Sequence, residues 1–216
     1  MFQKTMRLLR DASRKSPAEE AVDAKEIEGP HRASELGSLS FMSDASYLRE
    51  LDSKLVICAQ RLVNSEVRPM VPFRFYANLS HSETLAAVRA GILTPYYMLL
   101  AVSPNGEVAG VVVSQLLIRG DSIRMELNSI AVHPRWRGIG LGRTLLDEQL
   151  ESMTAQHSIS FVYGSCSEES EGFYSALGFS VTEPGGSIPE GFVPEDERVS
   201  HDPGFERMFY KVLTSD

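Results

Sequence analysis

Cysteine and basic residues are scarce in this 216-residue chain, long apolar runs are missing, and each shortage excludes a class of protein. Two cysteines, Cys58 and Cys166, cannot build a disulfide framework or a zinc cluster, and their scarcity suits a reducing compartment. Lysine and arginine number 21 against 29 aspartates and glutamates, for a net charge of -8. That balance argues against a nucleic-acid partner, because neutralising phosphates requires a concentrated basic surface. No apolar run, Val108 to Val113 included, approaches the roughly 20 residues of a membrane-crossing helix, so no membrane partner is expected. The basic stretch from Met1 to Ser16 lacks the apolar core and small-residue cleavage site of a secretory signal. The acidic continuation Glu19, Glu20 and Asp23 opposes a mitochondrial presequence, and a cytoplasmic protein is the expectation. His81, His133, His157 and His201 show no metal-ligand spacing, so no metal is expected.

What is present is an ordinary globular composition, 43% hydrophobic and 23% charged, enough for one core. Residues 1–34 read as a polar, partly mobile extension broken by Pro17, Gly29 and Pro30, and residues 35–216 as the folded domain. Leu39 and Phe41 alternate with serines as in a short strand. Ser43 or Asp44 is expected to cap a helix through Leu48, Leu51, Leu55, Ala59 and Leu62. Ser80 with Glu83 makes a capping box for a second helix ending near Gly91, after a loop from Val67 to Leu79. Tyr96–Val102, Val108–Ile118 and Ser122–Val132 read as an antiparallel meander, parted by Ser103-Pro104-Asn105-Gly106 and Gly120-Asp121. A helix over Leu141–Gln156, a strand over Ile159–Gly164, a helix over Glu168–Leu177 closed by Gly178, and strands over Phe179–Thr182 and Phe205–Val212 follow. The long segment from Glu183 to Gly204 carries Glu183, Glu190, Glu195, Asp196, Glu197 and Asp202, the pattern of a functional or mobile loop able to draw cations.

The chemistry lies in Ile130-Ala131-Val132-His133-Pro134-Arg135-Trp136-Arg137-Gly138-Ile139-Gly140-Leu141-Gly142-Arg143. A strand ends at Pro134 and alternate glycines lead into a helix, stacking backbone N–H groups at a positive helix end where missing Cβ atoms admit an anion. A phosphate-bearing ligand is the physical expectation. The run is no Walker loop, lacking Gly-Lys-Ser/Thr, and no Rossmann fingerprint, whose third glycine would fall at Arg143.

This stretch resembles the acetyl-CoA signature of the GNAT superfamily of N-acetyltransferases: Arg or Gln, two residues, Gly, one residue, Gly or Ala, here Arg137-Gly138-Ile139-Gly140-Leu141-Gly142. A second run, Phe173-Tyr174-Ser175-Ala176-Leu177-Gly178-Phe179, is similar to that family's C-terminal motif, and the element order from about Leu36 to Leu213 suits its fold. The resemblance implies an α/β GNAT fold: a mixed, mostly antiparallel central sheet flanked by helices, with strand splay at the acetyl-CoA site. It implies acetyl-CoA as acyl donor co-substrate, its pyrophosphate on the amides of Gly138, Ile139, Gly140, Leu141, Gly142 and Arg143, with Arg137 and Arg143 as cationic support. Ile130, Ala131 and Val132 would pair with the pantetheine arm like an added strand, and the Val132 N–H would face the developing oxyanion.

Transfer by direct attack also requires a deprotonated amine and a proton for the departing thiolate. By the resemblance Tyr174 is the acid. Glu126, placed like the glutamate of histone-acetyltransferase members, is the base, water being the alternative. Strand alternation would set Glu126, Asn128 and Ile130 on one face. Ser167 stands where many members have an asparagine that bonds pantetheine, and a hydroxyl still offers one hydrogen bond. Cys166 reads as a packed small residue. The implied protein is an N-acetyltransferase acting on a small-molecule or peptide amine, with a homodimer possible. The alternative is a non-catalytic acyl-CoA-binding regulatory module of the same fold.

Overall fold

Turn chemistry and β-branched runs build the centre of the domain. The computed structural model describes residues 33–45, 53–67, 96–119, 122–200 and 204–213. Strands β2 (Tyr96–Val102), β3 (Val108–Arg119) and β4 (Ser122–Val132) pair antiparallel in order. The β2–β3 turn closes as its sequence requires. Gly106 takes a left-handed φ of 83° and its N–H donates to the Ser103 carbonyl at 2.8 Å, while the Ser103 hydroxyl accepts from Glu107 N–H at 3.1 Å. Val111, Val112 and Val113 are all fully buried, so β3 is covered on both faces.

Strand β1 (Ser40–Ala45) pairs antiparallel with β2, and β5 (Ile159–Cys166) runs parallel to β4 after the crossover helix. Strands β7 (Arg207–Val212) and β6 (Ser180–Val181) complete a seven-stranded sheet in the order β1-β2-β3-β4-β5-β7-β6. Among the described residues only β4 with β5 is parallel, giving the mixed, mostly antiparallel sheet with flanking helices that the resemblance implied.

Helix α1 (Ser53–Glu66) covers one face, burying Val56, Ala59, Leu62 and Val63 against Met98, Leu100, Val111, Val113 and Ala131. Helix α2 (Leu141–Gln156) covers the other through Leu141, Leu145, Leu146 and Met153. Gln149 on that stripe escapes the cost of a buried amide because its Nε2 donates to the Ser114 hydroxyl of β3 at 2.8 Å. A 3₁₀ turn (Glu168–Ser170) leads into α3 (Glu171–Ala176), which ends at Gly178 (φ 78°) with Lys211 Nζ donating to the Leu177 carbonyl at 3.2 Å.

Two readings change. Ser43 and Asp44 do not cap a helix; they are strand residues in register with Leu99 and Met98. Pairing with the buried strand β2 outweighs a capping preference worth about 1 kcal/mol. The helix expected from Glu168 is split, its first turn being 3₁₀. Residues 1–32, the loop Val67–Leu79 beyond Val67, the helix from Ser80 to Gly91 and the Gly120-Asp121 turn lie outside the described residues.

The acidic loop between β6 and β7 is anchored on the face that α1 shares. Ile188, Val193 and Phe192 pack on Phe161, Tyr163 and Met208, with the Phe161 and Phe192 rings stacked 4.7 Å apart. Ile188 and Arg198 bind each other through backbone N–H to carbonyl at 2.8 Å and Arg198 Nε to the Ile188 carbonyl at 2.8 Å.

Candidate active site

The parallel pair β4–β5 is short. Its register runs from Ile123↔Ile159 to Glu126↔Tyr163, while β4 continues to Val132 and β5 to Cys166. Beyond Glu126 the strands part, and the β4 edge from Leu127 to Val132 is left without a strand neighbour on that side among the described residues. At the apex the backbones still touch: a Cβ placed on Gly164 would sit 2.6 Å from the Leu127 carbonyl oxygen and 2.5 Å from the Phe209 ring. Only glycine fits there.

A bulge accompanies the parting. Val113 pairs with Ser129 but Ser114 with Leu127, so Asn128 has no cross-strand partner on β3, and its buried Oδ1 finds no hydrogen bond among the described residues. The bulge also corrects the expected alternation, because an extra residue exchanges the faces beyond it. Ile130 packs with the α2-side core, whereas Glu126 lies on the α1 side, accepting a hydrogen bond from Gln115 Nε2 of β3. Glu126 and Ile130 therefore occupy opposite faces.

Past β4, His133 N–H donates to the Ala109 carbonyl at 2.9 Å and Trp136, 2% exposed, plugs the core beneath the loop. Gly138 (φ 76°) and Gly140 (φ 91°) take left-handed conformations, and among the described residues nothing lies within 4 Å of a Cβ built on either. Gly140 caps α2, whose first bond runs from Thr144 N–H to the Gly140 carbonyl at 3.1 Å. The amides ahead of Thr144 have no helical carbonyl to use. Gly142 has a different need: a Cβ there would press on the Phe173 ring at 3.2 Å, so this glycine lets α3 close on α2.

Loop, splayed strand and α3 enclose a cleft of about 640 Å³. Of the residues singled out from sequence, Ile130, Ala131, Val132, Arg137, Gly138, Gly140, Leu141, Gly142, Arg143 and Tyr174 line it. Ile139 is instead packed against the core, and Ser167 sits just behind the wall, its hydroxyl 3.1 Å from that of Ser170, which does line the cleft. Glu126 lies on the far face at the apex of the splay. Arg143 donates to the Ala176 carbonyl at 3.0 Å, tying α2 to the C-terminus of α3.

Tyr174 is 7% exposed and held by rings: stacked on Phe209 with centroids 3.7 Å apart, and edge-on to Phe173 and Phe179. On the far face Tyr163, buried beside Glu126, donates its hydroxyl to Glu197 of the acidic loop at 2.6 Å. Burial, then the Glu197 hydrogen bond and the charges of Glu126 and Glu197, hold this phenol far above its ordinary value, so it stays protonated. Cys166, 2% exposed, is pushed up to about 11 by burial and is a packed neutral thiol. Sequence reasoning did not find Glu66, Ser170, Phe173 or Tyr163, and it named Glu197 only among the carboxylates of the acidic loop. Phe173 lay within a quoted motif, while the others carry no local signal because their roles arise from contacts across the fold.

The fold and sequence can be set beside known proteins. Residues 73–187, just over half of the chain, match the model described as an acetyltransferase (GNAT) domain. No curated protein matches the sequence. Among solved structures, an acetyltransferase of the GNAT family from Staphylococcus aureus Mu50 is 16% identical with a TM-score of 0.53, covering 81% of this chain and 100% of that one. The NatC complex bound to Gag peptide and CoA gives 13% identity, a TM-score of 0.53 and coverages of 81% and 99%. Tetrahymena GCN5 gives 14%, 0.51, 79% and 94%. Such identities establish the shared fold, and with the match of sequence to the domain model they lead to one assignment: the chain belongs to the GNAT acetyltransferase family.

Proposed function

We propose that this protein is an acetyl-CoA-dependent N-acetyltransferase that passes an acetyl group to a primary amine by direct attack. One observation carries the reading: the β4 edge freed by the splay and the glycine loop at the α2 N-terminus open onto the same cleft, beside Tyr174. The residues suit an acyl-CoA. Open space over Gly138 and Gly140 admits a pyrophosphate, the amides up to Arg143 and the side chains of Arg137 and Arg143 lie along the same cleft, and the edge at Ile130, Ala131 and Val132 that β5 leaves offers backbone partners to an amide-bearing arm. Ser170, with Ser167 behind it, offers a hydroxyl on the opposite wall. A neighbouring fold, the NatC complex, is described with CoA and a peptide, which supports this donor and a peptide amine among the possible acceptors.

In this reading the acceptor nitrogen approaches from the face that carries Glu126, loses its proton to that carboxylate directly or through water, and bonds to the thioester carbonyl carbon. The C–S bond then breaks and the thiolate takes a proton from Tyr174. The Val132 N–H stands at the end of the freed edge, where charge develops on the carbonyl oxygen.

The test is release of free CoA thiol from acetyl-CoA against a panel of small amines and peptides with free N-termini or lysines. Release with at least one amine, with the acetylated amine found by mass spectrometry, is the expected result. Tight acetyl-CoA binding without release for any amine would make the protein a binding module instead.

A further inference from the structure

The cleft is crossed by an ion pair that joins distant parts of the chain. Arg137, on the glycine loop, donates from Nε to the Val132 carbonyl at 3.0 Å and from NH2 to Glu66 Oε2. Glu66 closes α1, is steadied by a hydrogen bond from the Ser65 hydroxyl at 3.1 Å, and lines the cleft together with Arg137. The other arginine on the wall, Arg143, is bonded to the Ala176 carbonyl.

The partners of Arg137 are informative. Val132 ends β4 on the side that β5 has left, so its carbonyl is an edge acceptor of the kind an added strand uses. A guanidinium is a planar fork suited to carboxylate or phosphate, and here a carboxylate fills part of it. The Glu66 side chain is 21% exposed and that of Arg137 53%, so the pair sits at the cleft mouth, where partners can exchange.

Resting on the acyl-CoA reading above, we infer that Glu66 is a stand-in for phosphate: it holds Arg137 across the cleft mouth until the donor's pyrophosphate takes its place, and recaptures it when CoA leaves. Glu66 thereby lowers donor affinity and hastens product departure. It acts through Arg137 and touches no reacting atom.

Calorimetry with CoA on the full chain tests this, with dissociation rates from a surface-immobilised protein. Glu66→Gln removes the competing charge and its repulsion of phosphate, so CoA should bind about two- to fivefold tighter, the range of a partly exposed pair. Its dissociation should slow by a similar factor. Glu66→Asp keeps the charge but not the reach, and should shift affinity in the same direction. In an Arg137→Gln background, Glu66→Gln should add nothing beyond the lost repulsion. Unchanged affinity in Glu66→Gln would overturn the inference, as would weaker binding, which would make Glu66 a residue that orients Arg137 toward phosphate. If the unaltered protein fails to bind CoA at all, the donor reading itself falls, an outcome distinct from either.

Discussion

Placing a negative charge on the glycine loop separates its two proposed roles, shape and anion binding. Gly140 has φ 91° and ψ 1°, and a Cβ there meets nothing within 4 Å. Gly140→Ala therefore costs only the left-handed strain of an L-residue, about 1 kcal/mol, lowering Tm by about 2–4 °C. Gly140→Asp carries the same strain, eased because aspartate tolerates this region and favours a helix N-terminus by about 0.3–1 kcal/mol. Its carboxylate, however, stands where the pyrophosphate is proposed to sit. Two like charges about 5 Å apart at an effective dielectric of about 20 repel by about 3 kcal/mol, or about two orders of magnitude in Kd. Calorimetric titration with acetyl-CoA alongside thermal melts should show both variants folded, Gly140→Ala binding with modest loss and Gly140→Asp not measurably. Equal losses in the two would mean that shape, not charge, matters. Unchanged affinity in Gly140→Asp would remove the loop from the donor site.

Gly164→Ala should destabilise the domain by about 1–3 kcal/mol or more in urea, because the added methyl meets the Leu127 backbone oxygen, which cannot swing away; a smaller loss would refute the close apex. Burial holds the Cys166 thiol neutral to about 11 against an ordinary 9.0, so its contribution to stability is complete below pH 9 and lost as pH climbs toward 11. At pH 8 a maleimide should label exposed Cys58 and spare Cys166 until the chain unfolds, and rapid double labelling would contradict the packing. Glu197→Ala leaves the buried Tyr163 hydroxyl without its acceptor and should cost about 1–3 kcal/mol of stability by denaturant titration; no loss would show the bond to be dispensable. Tyr174→Phe should keep CoA affinity and lower turnover about 10²- to 10⁴-fold, while Glu126→Gln should be most impaired at neutral pH and recover as free amine accumulates. Full activity in the first or a pH-independent loss in the second would reassign that residue.

Local chemistry made the sheet legible. Tyr96–Val102, Ser122–Val132 and Leu141–Gln156 have the bounds that their patterns imply, because each is closed at both ends by turn residues, glycine or a change of period. Legibility failed where pairing decides. Ser43 and Asp44 look like caps in isolation, yet the backbone of β2 offers a full ladder, and a ladder satisfies several groups where a cap satisfies one. The acidic loop was harder still. Its charges suggest a solvated rim, while Ile188, Phe192 and Val193, spaced by no regular period, are what bind it to the sheet.

The cleft was legible for a related reason: the glycine loop is continuous in sequence, so its left-handed turns and the start of α2 are encoded side by side. The opposite face is assembled from residues that no motif joins. Gln115 meets Glu126 across strands, and Glu197 reaches Tyr163 from the loop. One bulge at Asn128 couples the two halves. Without it Glu126 would share a face with Ile130 and α2; with it, the carboxylate sits behind the sheet at the point where β4 and β5 begin to part. In the proposed reaction a donor arm along the freed edge and an acceptor beside Glu126 would meet through the gap between the two strands. On that reading the separation would keep the carboxylate away from an anionic donor, whose phosphates would otherwise share its face and raise the energy of the charged form a base must return to.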